Sequence, residues 1–125
     1  MSQWTHVNAN FRLNSFGKTN DEELIKIFGK SVDYYHMDEI EYDEEQYLPM
    51  GSEGTLKMSI WHNPNESCMA STTVSVFGDL RDYGSFEEIE EWFNRCCDSC
   101  GGFGIRQAFC QVEVEGYGTK TFQRE

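Results

Sequence analysis

Alternation of apolar and polar positions marks four stretches of this chain as strands. Thr5, Val7, Ala9, Phe11 and Leu13 alternate with His6, Asn8, Asn10 and Arg12, the two-residue period of a strand with one buried face. Leu56, Met58 and Ile60 alternate with Lys57, Ser59 and Trp61. Ala70, Thr72, Val74, Val76 and Leu80 do so with Ser71, Thr73, Ser75 and Phe77. The turn-forming run Asn63-Pro64-Asn65-Glu66-Ser67 joins these two as a predicted hairpin. Gly78 to Gly84 carries turn chemistry and is expected to end the third strand. In the last strand Ala108, Cys110, Val112 and Val114 point inward, with Gln107, Phe109, Gln111 and Glu113 outward. Gly116-Tyr117-Gly118 then either ends the sheet or turns a hairpin into Lys120 to Gln123.

Two stretches change to a helical period. Leu24, Ile25, Ile27 and Phe28 follow Thr19 or Asn20, either able to cap, with Asp21, Glu22 and Glu23 in the first turn where carboxylates suit the dipole. Gly29-Lys30 closes this helix. Ile89, Trp92, Phe93, Cys96 and Cys100 form a second apolar stripe. Ser85 and Glu88 are spaced as a capping box before it, and Gly101-Gly102 ends it. The order strand, helix, strand, strand, helix, strand predicts a ferredoxin-like βαββαβ α+β fold, an antiparallel sheet with both helices on one face.

At 125 residues the chain fits one domain, residues 1–125. A hydrophobic share of 38% supports a packed core. No run of 18 apolar residues predicts a membrane span, and the opening MSQWTHVNANF has neither the basic nor the apolar part of a signal peptide. The expectation is a cytoplasmic protein whose five cysteines are reduced.

Charge changes the picture most. Ten basic residues against 22 acidic ones leave a net charge of −12, which repels nucleic acid and anionic membranes and attracts cationic partners. The imbalance is sharpest in a Tyr-rich excursion, residues 31–54, between the first helix and the second strand. No Lys or Arg falls between Lys30 and Lys57, yet Asp33, Asp38, Glu39, Glu41, Asp43, Glu44, Glu45 and Glu53 do, interleaved with Tyr34, Tyr35, Tyr42 and Tyr47. A strand near Glu39 to Glu41 is expected inside it. Connections this long are uncommon in compact domains and are often functional.

Helices on one face leave the other to outward residues, among them Trp61, Phe77 and Phe109. Such aromatics mark a protein interface, or are covered by another part of the chain. Stacking of nucleic-acid bases would need a basic surround that this chain lacks. Cys96, Cys97, Cys100, Cys110, Cys68 and His62 hold the ingredients of a thiolate zinc site. Cys96 and Cys100 lie on the helix's apolar side, however, and free cysteine packs as a small hydrophobe. Buried, metal-free thiols are therefore expected at Cys96, Cys100 and Cys110. No P-loop, dinucleotide fingerprint, nucleophile elbow or H-E-x-x-H is present, so no catalytic residue and no cofactor is predicted.

Trp4-Thr5-His6-Val7-Asn8, the turn Met50-Gly51-Ser52-Glu53-Gly54 and Gly78-Asp79-Leu80-Arg81-Asp82-Tyr83, taken as a set, resemble small acidic uncharacterised proteins encoded by bacteriophages and prophages. The resemblance transfers no site residue. It implies a setting in a host cytoplasm, where such proteins inhibit host machinery as anti-CRISPR proteins or DNA mimics. The leading expectation is a non-enzymatic inhibitor that binds a basic, nucleic-acid-handling host protein. Asp38, Glu39, Glu41, Asp43, Glu44 and Glu45 would form its charged rim, with Tyr42 and Tyr47 as anchors. The alternatives are a structural or small-ligand-binding module using Trp61, Phe77 and Phe109, as a homodimer, and a small zinc-binding protein.

Overall fold

The computed structural model describes residues 3–14, 20–30, 47–65, 72–83, 86–100 and 104–124. Its elements run β1 (Trp4–Leu13), α1 (Asp21–Phe28), β2 (Leu56–His62), β3 (Thr72–Arg81), α2 (Phe86–Ser99), β4 (Ile105–Val114) and β5 (Gly118–Arg124). All pairings are antiparallel, and the strands lie side by side in the order β2-β3-β1-β4-β5.

The ferredoxin-like βαββαβ expectation is thereby corrected: the molecule is a five-stranded antiparallel sheet with two helices. The chain turns after Val114, where the Tyr117 amide donates to the Val114 carbonyl at 2.9 Å, and β5 returns along β4. Phe122 is the only large apolar side chain in β5, so apolar alternation signals this strand weakly. Its place is set by backbone pairing to β4 and by contacts to α2. Phe122 stacks 6.5 Å from Phe93, the Lys120 ammonium sits 4.7 Å over the Phe86 ring, and Arg124 bonds Asp98 and Asn94.

β3 runs through Gly78 to Arg81, so Leu80 lies in the strand where its alternation puts it, and the turn chemistry expected from Gly78 onward acts only at Asp82. Gly78 has φ +153, and a Cβ there would lie 2.7 Å from the Thr55 carbonyl oxygen. The glycine serves close approach of the chain leading into β2, not a turn. The expected strand near Glu39 to Glu41, the Ser85 cap, Ala70 and Gly101-Gly102 lie outside the described residues.

The core forms where both helices cover one side of the sheet. Inward residues of β1, β3 and β4 are buried, as their alternation predicts. Phe11 on the central strand anchors it, 4.7 Å from Phe28, 5.9 Å from Trp92 and 5.5 Å from Phe93 between ring centroids. The Trp92 indole donates to the Phe28 carbonyl at 3.0 Å, tying α2 to the end of α1. Asn20 caps α1 by accepting from the Glu22 amide at 2.8 Å. Among the described residues, no helix is long and apolar enough to cross a membrane.

Candidate functional site

Asp38, Glu39, Glu41, Tyr42, Asp43, Glu44 and Glu45 lie outside the described residues. Tyr47, the remaining member of that set, is described, and its position is informative. The chain leaves the described fold after Lys30 and re-enters at Tyr47, and these two residues form a parallel bridge. The Leu48 amide donates to the Lys30 carbonyl at 3.1 Å, and Leu48 is buried. Gly29 makes this junction possible. It has φ +120, and a Cβ there would sit 2.6 Å from the Leu48 nitrogen. Lys30 and Tyr47 thus lie side by side just past the end of α1.

At that point Tyr47 and Met50 face Tyr83 and the α2 side chains Glu88, Glu91 and Trp92 across a cleft of about 520 Å³. Arg95, four residues beyond Glu91, is the one cation among its described lining residues. Tyr83 is carried there by Asp82, which adopts φ 57 at the end of β3 and donates its amide to the Gln3 carbonyl at 2.6 Å. An aspartate tolerates that left-handed conformation. The buried Thr5 hydroxyl donates to the Tyr83 carbonyl and holds the residue against the sheet. Burial raises the Tyr83 phenol pKa above its ordinary value, and its hydrogen bond to the Glu88 carboxylate raises it further. The phenol stays protonated and donates. The cleft combines aromatic walls with carboxylates on an α2 surface that also exposes Glu87, Glu90 and Asp98. That combination suits a cation on a hydrocarbon stem. Nothing local in the sequence links Tyr83 or Glu91 to Tyr47, since only folding brings them together.

The second predicted surface is the sheet face opposite the helices. Trp61 and Phe77 are 52% and 48% exposed there, and Phe109 is partly buried. The strand register separates them. Trp61 lies opposite Thr73, Phe77 lies between Lys57 and Asn8, and Phe109 lies between Asn10 and Gln123. With strands ~4.8 Å apart and ~3.4 Å per residue, the Cα atoms of the three residues stand roughly 12–16 Å from one another. Amide and hydroxyl side chains fill the intervals, as where Ser75 bonds the Asn10 amide oxygen at 2.5 Å. Trp61, Phe77 and Phe109 thus stand in different rows of this face. A shallow depression of about 270 Å³ beside Phe109 is lined by Gln107, Gln111 and Gln123.

Charged groups stand at both ends of this face, with Lys57 between them opposite Phe77. At one end, Arg12 donates to the Gln107 amide oxygen at 3.3 Å. At the other, His6 Nδ1 lies 2.5 Å from Asp79, and its Nε2 lies 3.2 Å from Glu115 and 3.9 Å from Glu113. The hydrogen bond to Asp79, then that to Glu115, raises the His6 pKa above its ordinary 6.5. His62 sits elsewhere, 2.7 Å from Asp21 through Nε2, joining the end of β2 to the first turn of α1.

Cys96, Cys100 and Cys110 are free thiols buried as the pattern implies, and Cys97, off the apolar stripe, is buried as well. Burial pushes Cys96, Cys100 and Cys110 up to about 12, which leaves inert thiols rather than nucleophiles. Cys68 lies outside the described residues. Among those that are described, no group of three or more His, Cys, Asp or Glu side chains is arranged to hold a metal ion.

No protein-family model, no curated protein and no solved structure matches the chain. The likeness to phage-encoded proteins therefore rests on the residues quoted for it alone.

Proposed function

We propose that this is a non-enzymatic binding protein that takes a cationic protein partner on its helix layer, at the cleft between Tyr47 and α2. One observation carries the reading. The cleft gathers Tyr47, Tyr83, Glu88 and Glu91 beside the bridge between Tyr47 and Lys30. A Lys or Arg side chain of the partner lays its stem on the tyrosines and its charge on the carboxylates. The −12 net charge steers such a partner in at low salt. With the phage-like setting, the partner is a basic, nucleic-acid-handling host protein, and occupying its cationic surface displaces nucleic acid.

The test is titration with a Lys/Arg-rich peptide, followed by association rate against salt. Binding at low salt should weaken steeply as salt rises. Tyr47→Ala and Glu91→Lys should each slow or abolish it while leaving the melting temperature within a few degrees. Reversing Asp43, Glu44 and Glu45 to Lys should flatten the salt dependence. A peptide bound equally well by Glu91→Lys and by the triple reversal would refute the cationic-partner reading.

A further inference from the structure

The open sheet face carries cations among its carboxylates: Lys57 lies mid-face opposite Phe77, and Arg81, opposite Trp4, pairs with Glu53 at 2.8 Å. Arg12 stands at one end of the central strand, and the His6, Asp79 and Glu113 row stands at the other. Between them lie Asn10 and Asn8, flanked by Ser75, Phe109, Phe77 and Gln111. Both described helices occupy the opposite face, with Phe28, Trp92 and Phe93 on Phe11. The face spans five strands, three of them ten residues long. It covers on the order of 700 Å² at ordinary strand spacing, close to the ~800 Å² per partner of a stable interface.

We propose that this face binds a second copy of the chain, face to face, about a two-fold axis that lies between the sheets and runs across the strands. Charge selects that axis. A two-fold running along the strands sets Arg12 against Arg12 and each His6 row against its own carboxylates. The axis across the strands instead brings Arg12 of each protomer onto the Asp79 and Glu113 row of its partner, twice per dimer. The central rows then meet with Phe77 near Ser75 and Phe109 near Gln111, so each ring packs against a polar side chain rather than against water. Aligned sheets pack ~10 Å apart with strands crossing at about 30°. Both acidic helix layers, with Glu87, Glu90 and Glu91, then point away from each other. A chain of net charge −12 thus meets its copy on a surface that carries cations as well as carboxylates, and both cationic-partner clefts stay open. The proposal does not depend on what those clefts bind.

Mass measured by analytical ultracentrifugation across a concentration series tests it. The expected mass at high concentration is twice the chain's 14.5 kDa. Arg12→Glu and Glu113→Lys should each lower the dimerisation constant at least tenfold, by setting like charges opposite one another. The double variant, Arg12→Glu with Glu113→Lys, restores an opposite pair at both contacts and should recover the dimer. Thermal melts of all three at monomeric concentrations check that the fold is intact. A wild-type mass that stays monomeric, a dimer indifferent to both single reversals, or a double variant that stays dissociated would each overturn the proposal.

Discussion

The two faces of this sheet treat the same residue type in opposite ways. Trp92 on the helix side is 4% exposed, edge-on to Phe11, with its indole N–H satisfied by the Phe28 carbonyl. Trp61 on the open side is 52% exposed beside Thr73. The helix layer combines a dry interior with an acidic exterior, since α1 and α2 carry Asp21, Glu22, Glu23, Glu87, Glu88, Glu90, Glu91 and Asp98 against Lys26 and Arg95. The open face is wet, amide-rich and near neutral. Stability therefore resides on the helix side of the sheet. Net charge describes neither side by itself.

The largest effect that sharpens this contrast is thiol protection. Burial raises Cys96, Cys100 and Cys110 from 9.0 to about 12, so the thiolate fraction of each falls roughly a thousandfold. Alkylation at neutral pH should be very slow in the folded protein and rapid in urea. Fast labelling of folded Cys110 would show that the helix layer is not dry.

The two tryptophans give the next largest effect. Trp92→Ala should cost about 3–5 kcal/mol of unfolding free energy by urea titration. Trp61→Ala should stay within about 0.5 kcal/mol when measured at monomeric concentration. Equal costs would erase the distinction between the faces.

A smaller effect concerns how β5 is held to the helix layer. Arg124 contacts Asp98 at 2.5 Å and Asn94 at 3.1 Å, but the Asp98 side chain is 71% exposed, so solvent screens the pair. Arg124→Gln should cost below about 1 kcal/mol. A loss of several kcal/mol would mean that β5 is held by this clamp rather than by its ladder with β4.

The smallest effect is the pH response of the open face. His6 has a raised pKa because Asp79 and Glu115 bond its ring. Its stabilising contribution is fully present below the unfolded value of 6.5 and is lost as pH rises through the higher folded value. The ring is more than a third exposed, so the slope should be shallow. His6→Gln should flatten the stability curve above pH 6.5. A slope unchanged in His6→Gln would assign it to another group.

Much of the fold can be read from the residues because period, caps and burial are local or nearly so. Both helices occupy the spans that their apolar stripes mark, and Asn20 makes the cap its side chain allows. The face on which each strand residue falls is equally legible, since Phe11, Val74, Val76 and Cys110 are buried where alternation puts them. The candidate cleft is not legible in this way. Tyr47 is recognisable as an aromatic in an acidic run, but Tyr83 reads as part of a turn and Glu91 as one carboxylate among many.

The sequence by itself determines which residues form strands and helices, which side of each is apolar, and how strongly acidic the chain is. Only the tertiary structure decides which strands are neighbours, in what register, and that a fifth strand joins them. The reason is physical. A two-residue period says which way a side chain points, and nothing about what stands beside it across the sheet. Register puts Trp61, Phe77 and Phe109 in three different rows. It also carries Asp79 and Glu113 to either side of His6, joining residues far apart in the chain. Backbone pairing to β4 holds β5 in place despite its single apolar anchor, because a ladder of hydrogen bonds needs no hydrophobic pattern.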